Sequence, residues 1–276
     1  MSSFLLMLLK HMIVTTIAII LTMTGRVALA ADVDMVSRGS SRILMITGVI
    51  EAGDYRKVVD WIADDGNHEG TFLLRSRRVF VDSPGGSVDE AMKLARLFRD
   101  IYAKVTVVKG CSSACFLLYA GAVERLPLGE IGLHNPYLDA RSSSQLSVKP
   151  LEAQLRKAEI ETRDLLREFS IPAYLVDRMF SRTSVEVYRM TYEDVLAIGL
   201  QSVGWGQVRV SKCGARPDLE RELYVRMVVN QENLTPQQLQ QYQQFNRKVQ
   251  LCEDGVLTQT VLRAALSHIN REPPKR

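Results

Sequence analysis

The sequence predicts an α/β fold with a mostly parallel β-sheet, followed by a small helical appendage at its C-terminal end. Short apolar runs alternate with stretches of helical periodicity through the first half of the chain. That alternation is typical of parallel strands connected by helices that pack against the sheet. Beyond Pro136 the pattern changes to a Ser-rich stretch and then to charged segments with helical spacing, so we expect helices there.

Four apolar runs predict the strands of the sheet. Each is short and is followed closely by glycine, asparagine or another turn residue, as expected of buried strands. They occupy residues 43–50, 79–81, 105–108 and 130–134.

Helices are predicted from the apolar spacing and from signals at their ends. Ser87 and Glu90 have the spacing of a capping box. Thr191 and Asp194 repeat that spacing, and Gly199 closes the helix that they begin. The predicted helices span residues 55–62, 88–101, 114–119, 151–169, 171–180, 191–199 and 258–268, with a Gln-rich helix from 235.

The first thirty residues predict a secretory signal peptide. Lys10 precedes an apolar stretch, and Ala28-Leu29-Ala30 forms a small-x-small cleavage site. An uncleaved membrane anchor is the alternative, but Lys10 leaves the apolar segment short of the roughly 20 residues of a spanning helix. We therefore expect a periplasmic or secreted protein with a signal peptide (1–30), a lead-in (31–42), an α/β domain (43–212) and a helical C-terminal module (213–276).

Charge and cysteine content restrict the function classes. The formal net charge of +4 gives no reason to expect nucleic acid as a partner, and no cysteine–histidine spacing fits zinc or suggests a cofactor. The 4 cysteines allow three disulfide connectivities. Proximity suggests Cys111 with Cys115 and Cys213 with Cys252, while Cys111 and Cys115 also fit as buried unpaired side chains.

Three short motifs carry residues suited to nucleophilic catalysis. Residues 83–87 (SPGGS) join a strand to a helix, and backbone amides at such a junction can bind an oxyanion. Residues 110–115 (GCSSAC) form a second such junction, where a serine can act as a nucleophile or as a simple helix cap. His134 ends the next strand and is the one plausible general base, because His68 lies in a polar segment and His268 in the tail.

The order of these motifs resembles the proteolytic subunit of the Clp proteases. The resemblance is closer to exported Clp-like proteins of bacteria, which share a Cys-x-Ser-Ala-Cys pattern, here 111–115, and a following Gly-x-x-x-Arg, here 121–125. It covers roughly residues 43–205 and implies the repeated β-β-α units of the ClpP/crotonase fold. The stretches that carry it are residues 46–51, 82–88, 113–121 and 131–136.

Roles for individual residues follow from this resemblance. It implies that Ser113 is the nucleophile, that His134 is the general base, and that the amides of Gly86 and Ala114 form the oxyanion hole. Ser112 is the alternative nucleophile, because the spacing to the helix allows either serine to align.

The third member of a catalytic triad is the main departure from the family. Clp proteases place an aspartate about a dozen residues before the glycine that corresponds to Gly199, and this position is Val187 here. Glu186 is the neighbouring carboxylate and our candidate for the role. Because neighbouring side chains of a strand face opposite ways, Glu186 needs a register shift or a bulge to replace that aspartate.

These observations leave two main hypotheses for the function. The first is an exported serine hydrolase, a peptidase that acts on a peptide or protein substrate. The second is a catalytically weak Clp-like protein that binds peptides as a sensor or scaffold, which the absence of the aspartate favours. A crotonase-type acyl-CoA enzyme shares the fold, but export makes a CoA substrate a poor fit.

Two further partners are suggested by weaker signals. Residues 254–266 slightly resemble peptidoglycan-binding modules, so cell-wall contact is one hypothesis for the tail and a packing appendage is the favoured one. The resemblance to Clp proteases also implies a possible homo-oligomer through the helix at 151–169.

Overall fold

A seven-stranded sheet forms the centre of the described fold. The computed structural model describes residues 32–38, 41–67, 77–135, 148–181, 186–202, 205–214, 218–229, 232–252, 255 and 258–271. The predicted signal peptide and most of the predicted Ser-rich loop lie outside these residues. The expected α/β architecture with a mostly parallel sheet is confirmed.

The strands and helices alternate along the first half of the chain, as their apolar runs predict. The strands are β1 (Asp32–Arg38), β2 (Ser41–Ile50), β3 (Arg78–Gly86), β4 (Lys104–Ser112), β5 (Glu124–Pro127), β6 (Glu130–Leu133) and β7 (Tyr188–Arg189). The helices are α1 (Asp54–Asn67), α2 (Val88–Asp100), α3 (Cys115–Gly121), α4 (Val148–Glu168), α5 (Ala173–Phe180), α6 (Tyr192–Ile198), α7 (Trp205–Cys213), α8 (Asp218–Tyr224), α9 (Pro236–Cys252) and α10 (Thr258–Arg271), with a π-helical turn at Val225–Val229.

The sheet is parallel in its interior and antiparallel at both edges. The strand order is β1-β2-β3-β4-β6-β7, and β5 pairs with the first half of β4. Strands β2, β3, β4 and β6 are parallel, whereas β1 and β7 run antiparallel to their neighbours. The carboxyl ends of β3, β4 and β6 therefore lie side by side, and this is the usual place for a binding site in an open parallel sheet.

Strand β1 and the start of β2 occupy most of residues 31–42, which the sequence analysis treats as a lead-in. In β1, Val33 and Met35 alternate with Asp32 and Asp34, which is the two-residue period of a strand. The strand runs in register along β2, from Asp32 opposite Thr47 onward. Pairing with the edge of β2 satisfies the backbone amides and carbonyls, and a short, charged segment gives little hydrophobic signal of it.

The tail contacts the α/β core through α10, which packs against α1 and α2. Tyr55 Oη lies 2.7 Å from His268 Nδ1, and His268 Nε2 lies 2.8 Å from Asp100 Oδ2. His268 and Tyr55 are both buried. The separate helical module at 213–276 and its cell-wall contact stay predictions.

The disulfide Cys213–Cys252 joins α7 to α9, with a Cα–Cα distance of 5.7 Å. This confirms the pairing that sequence proximity suggests. No helix within the described ranges has both the length and the apolar character needed to span a bilayer.

Candidate active site

Ser113 occupies a sharp turn between strand and helix. Strand β4 ends at Ser112, helix α3 begins at Cys115, and Ser113 between them has a φ of 57°. The Ser113 amide donates to the Gly132 carbonyl at 3.0 Å, and its carbonyl accepts from the Phe116 amide at 3.0 Å. A left-handed backbone is uncommon for any residue except glycine. A serine held this way at a strand–helix junction has the geometry of a nucleophile elbow.

The glycine loop at the end of β3 packs directly against this turn. A β-carbon on Gly85 would stand 2.6 Å from Ser113 Cβ, 2.7 Å from the Ser112 carbonyl oxygen and 3.0 Å from the Ala114 nitrogen. The φ of Gly85 is +107°, and the Ser83 hydroxyl accepts a hydrogen bond from its amide at 3.1 Å. Both the close approach and the backbone conformation therefore require glycine at position 85.

Gly86 meets the other neighbouring strand. Its φ is +141°, and a β-carbon there would lie 2.2 Å from the Ile50 carbonyl oxygen. The Ser87 amide donates to that same carbonyl at 2.8 Å. The two adjacent glycines thus let one loop fit tightly between β2 and the serine turn.

The Ala114 amide nitrogen also lies next to the glycine loop. It lies 3.0 Å from the position that a Gly85 β-carbon would take. Among the described residues no hydrogen bond engages this amide. A backbone N–H beside the serine and next to an adjoining glycine loop is the arrangement that stabilises an oxyanion.

His134 follows the last residue of β6 and is buried. Its Nδ1 lies 3.0 Å from the Asn135 carbonyl oxygen. Because a carbonyl oxygen only accepts, this hydrogen bond requires the proton on Nδ1, which leaves Nε2 of the neutral ring as an acceptor. Strands β4 and β6 are paired up to Ser112 opposite Gly132, so Ser113 and His134 lie just beyond the ends of two neighbouring strands.

The two candidate serines have different surroundings. A β-carbon on Gly132 would stand 2.5 Å from Ser112 Oγ and 2.7 Å from Val187 Cγ1, so the Ser112 hydroxyl packs toward β6. Ser113 Cβ instead borders Gly85. The sequence favours Ser113 and keeps Ser112 as the alternative. In the structure the Ser113 side chain borders the glycine loop, whereas the Ser112 side chain packs toward β6.

The region of the expected third residue is formed by the approach to β7. The antiparallel ladder ends with Leu133 paired with Tyr188, and the next residue on the β7 side is Val187. Glu186 precedes Val187 and is exposed. Strand β7 begins only at Tyr188, so Glu186 lies outside the regular pairing with β6. Its role as a third catalytic residue stays a prediction.

Glu90 is a buried carboxylate close to the glycine loop, and the sequence did not predict its main contacts. Glu90 Oε1 accepts hydrogen bonds from the amides of Gly53 and Tyr55, at 2.9 Å and 2.7 Å, at the start of α1. The predicted capping box at Ser87 is therefore only half formed: the Ser87 hydroxyl accepts from the Glu90 amide, but the Glu90 carboxylate binds α1 instead. Glu90 thus joins the starts of two helices beside the glycine loop.

Helix α3, which begins at the serine turn, is anchored at its far end by Arg125. The buried Arg125 guanidinium donates to the carbonyls of Tyr119, Ala120, Ile198 and Gly199. Burial, together with the nearby charge of a second arginine, lowers the pKa of Arg125 to about 10. Burial raises the pKa of Tyr119 to about 12. Arg125 therefore fixes the far end of the helix that follows the candidate nucleophile.

A disulfide joins Cys111 to Cys115 across the serine turn, with a Cα–Cα distance of 5.2 Å. Both cysteines are fully buried. The pairing by proximity is correct, and buried unpaired thiols are ruled out. The two disulfides are compatible with an exported protein. Within the described ranges, no group of three or more His, Cys, Asp or Glu side chains could hold a metal ion.

The region that holds the candidate site matches a known protein family. Residues 34–195, more than half of the chain, match the Clp protease family. The chain belongs to the Clp protease family. Membership of this family suggests a serine peptidase and agrees with the α/β fold described above. No curated protein matches the chain.

Solved structures similar to the chain include ClpP1 from Listeria monocytogenes and a point mutant of it. The ClpP1 structure has 16% sequence identity and a TM-score of 0.41, and the match covers 58% of this chain and 88% of that chain. The mutant has 15% identity and a TM-score of 0.42, with the same coverage of 58% and 88%.

Proposed function

We propose that this protein is an exported serine peptidase in which Ser113 is the nucleophile and His134 the general base. The observation that carries the proposal is the left-handed Ser113 turn, which packs against Gly85. A strained serine persists only where its surroundings hold it in place, and such strain is concentrated at active sites. Ser112 approaches Gly85 only through its carbonyl oxygen, and its hydroxyl packs toward Gly132, which favours Ser113 as the nucleophile.

The proposed reaction begins with the transfer of the Ser113 hydroxyl proton to His134 Nε2. The Asn135 carbonyl oxygen holds Nδ1–H and so keeps the ring in the tautomer that can accept this proton. Ser113 Oγ then attacks the substrate carbonyl carbon, and the amides of Gly86 and Ala114 receive the negative charge on the carbonyl oxygen. The C–N bond then breaks as the protonated His134 gives its proton to the leaving amine, which leaves the acyl group on Ser113 Oγ. Water, deprotonated by His134, hydrolyses this ester, and the proton returns to Ser113 Oγ as the acid product leaves.

A second candidate function is favoured by one observation. The β6–β7 ladder ends with Leu133 paired with Tyr188, and the next residue on the β7 side is Val187, which cannot stabilise the imidazolium as a carboxylate would. A catalytically weak Clp-like protein that binds peptides in the same groove is the function that this substitution favours. Glu186, or the Asn135 carbonyl alone, would have to orient the histidine in an efficient peptidase.

Peptide cleavage by matched variants separates the two functions. We expect purified protein to cleave a fluorogenic peptide library, and we expect Ser113→Ala and His134→Ala to lose that cleavage. Ser112→Ala is the matched control, since it removes a neighbouring hydroxyl without changing the glycine-loop contact, and it should retain activity. Binding of peptides without cleavage by folded wild type would establish the binding function instead.

A further inference from the structure

The disulfide Cys111–Cys115 closes a small covalent ring around the proposed nucleophile. Cys111 lies near the end of β4 and Cys115 is the first residue of α3, with a sequence separation of 4. The ring therefore encloses Ser112, Ser113 and Ala114, which are the two candidate nucleophiles and one proposed oxyanion donor.

The enclosed segment is the strained part of the site. Ser113 has a φ of 57°, a conformation that an unconstrained serine rarely adopts. Both ends of the ring are fixed, because Cys111 pairs with Ser83 and Ile131 in the sheet and Cys115 lies in a fully buried helix. A covalent bond between these two ends further limits the backbone conformations open to Ser113.

Global stability explains this disulfide less well than it explains Cys213–Cys252. The stabilisation that a disulfide gives through the entropy of the unfolded chain increases with the length of the loop that it closes. Cys111–Cys115 has a separation of 4, whereas Cys213–Cys252 has a separation of 39. The second disulfide therefore contributes more to folding, and the first constrains the local geometry around Ser113.

We propose that the Cys111–Cys115 disulfide is a positioning element of the site, so that the reduced protein is much less active and oxidation activates it. This inference rests on the proposed function and adds its regulation. Activation is a thiol–disulfide exchange with a disulfide-containing oxidant. The two cysteine thiols lose two electrons and two protons as their Sγ–Sγ bond forms, while the disulfide of the oxidant breaks and gains both electrons and both protons as two thiols.

A variant with one redox-active pair isolates the effect. The chain has 4 cysteines, so the double substitution Cys213→Ala/Cys252→Ala leaves only Cys111 and Cys115. Because both remaining sulfurs are buried, this variant is refolded either with a phosphine reductant or with oxidised glutathione. We expect the rate constant for labelling by a fluorophosphonate probe to be at least tenfold lower in the reduced form and to recover after oxidation.

The complementary variant removes the ring itself. Cys111→Ala/Cys115→Ala should label with the same low rate constant as the reduced protein and should not respond to reductant. The rate constant is the decisive readout, because partial unfolding lowers the labelled fraction rather than the rate of the folded fraction. Circular dichroism measures that folded fraction in every sample. If one double variant does not fold, the other still decides the test.

The outcomes separate this inference from the proposed function. Equal rate constants for oxidised and reduced protein, or wild-type labelling by Cys111→Ala/Cys115→Ala, would overturn the inference and leave the serine hydrolase intact. An oxidised, folded wild type that does not label at all would overturn the proposed function and the inference together.

Discussion

Substitution of Gly85 by alanine tests the contact between the glycine loop and Ser113. The new β-carbon would lie 2.6 Å from Ser113 Cβ and 2.7 Å from the Ser112 carbonyl oxygen. Carbon atoms in contact normally stand about 3.5–4.0 Å apart, so the turn or the loop must move by about 1 Å. A shift of about 1 Å at reacting groups can cost about 100-fold in rate. We therefore expect at least a 100-fold loss of fluorophosphonate labelling.

Gly214→Ala is the matched control for this experiment. Gly214 also has a positive φ, +81°, but no atom lies within 4 Å of its added β-carbon. Both variants pay a left-handed backbone penalty of about 1–2 kcal/mol in unfolding free energy. Only Gly85→Ala should lose labelling. Labelling of Gly85→Ala within threefold of wild type would refute the close packing of the loop on Ser113.

Three other perturbations have defined outcomes. Val187→Asp places a carboxylate next to the end of the β6–β7 ladder, and we expect the rate of fluorophosphonate labelling to rise at least tenfold. Val187→Asn should label at a rate near that of wild type. A rise that persists in Val187→Asp/His134→Ala would show that the new carboxylate does not act through His134. Burial of Asp194 opposes its ionisation, but hydrogen bonds from tyrosine hydroxyls and a backbone amide outweigh this and lower its pKa. The stability that the carboxylate provides is therefore present at pH 7 and is lost as the pH falls through its folded pKa. The difference in unfolding free energy between wild type and Asp194→Asn should shrink at pH 3. Removal of the Cys213–Cys252 disulfide, with its separation of 39, should lower the unfolding free energy by about 4 kcal/mol through loop entropy. Removal of Cys111–Cys115, with its separation of 4, should lower it by about 2 kcal/mol. The reverse order in urea unfolding would contradict this.

The sequence predicts the strands in the interior of the sheet. Each of β2, β3, β4 and β6 contains a short apolar run followed by turn residues, so its position follows from the local pattern. The edge strands β1, β5 and β7 are short or rich in charged residues, and their pairing depends on a neighbour that is distant in the sequence. Local patterns therefore could not reveal them.

The candidate site shows the same division between local and non-local information. The strand–turn–helix motifs predict which loops meet, because the carboxyl ends of parallel strands share one edge. The different environments of Ser112 and Ser113 follow from the packing of Gly85 and Gly132, which no spacing rule reveals. The buried role of Glu90 was likewise hidden, because its backbone partners at α1 lie 35 to 37 residues away.

The central claim is that Ser113 is an activated nucleophile in a Clp protease fold. Labelling the oxidised protein with a fluorophosphonate and locating the adduct by mass spectrometry of tryptic peptides tests it most directly. We predict a single adduct on Ser113 that is absent in His134→Ala. An adduct on Ser112, or a folded protein that carries no adduct while it binds peptides, would contradict the claim.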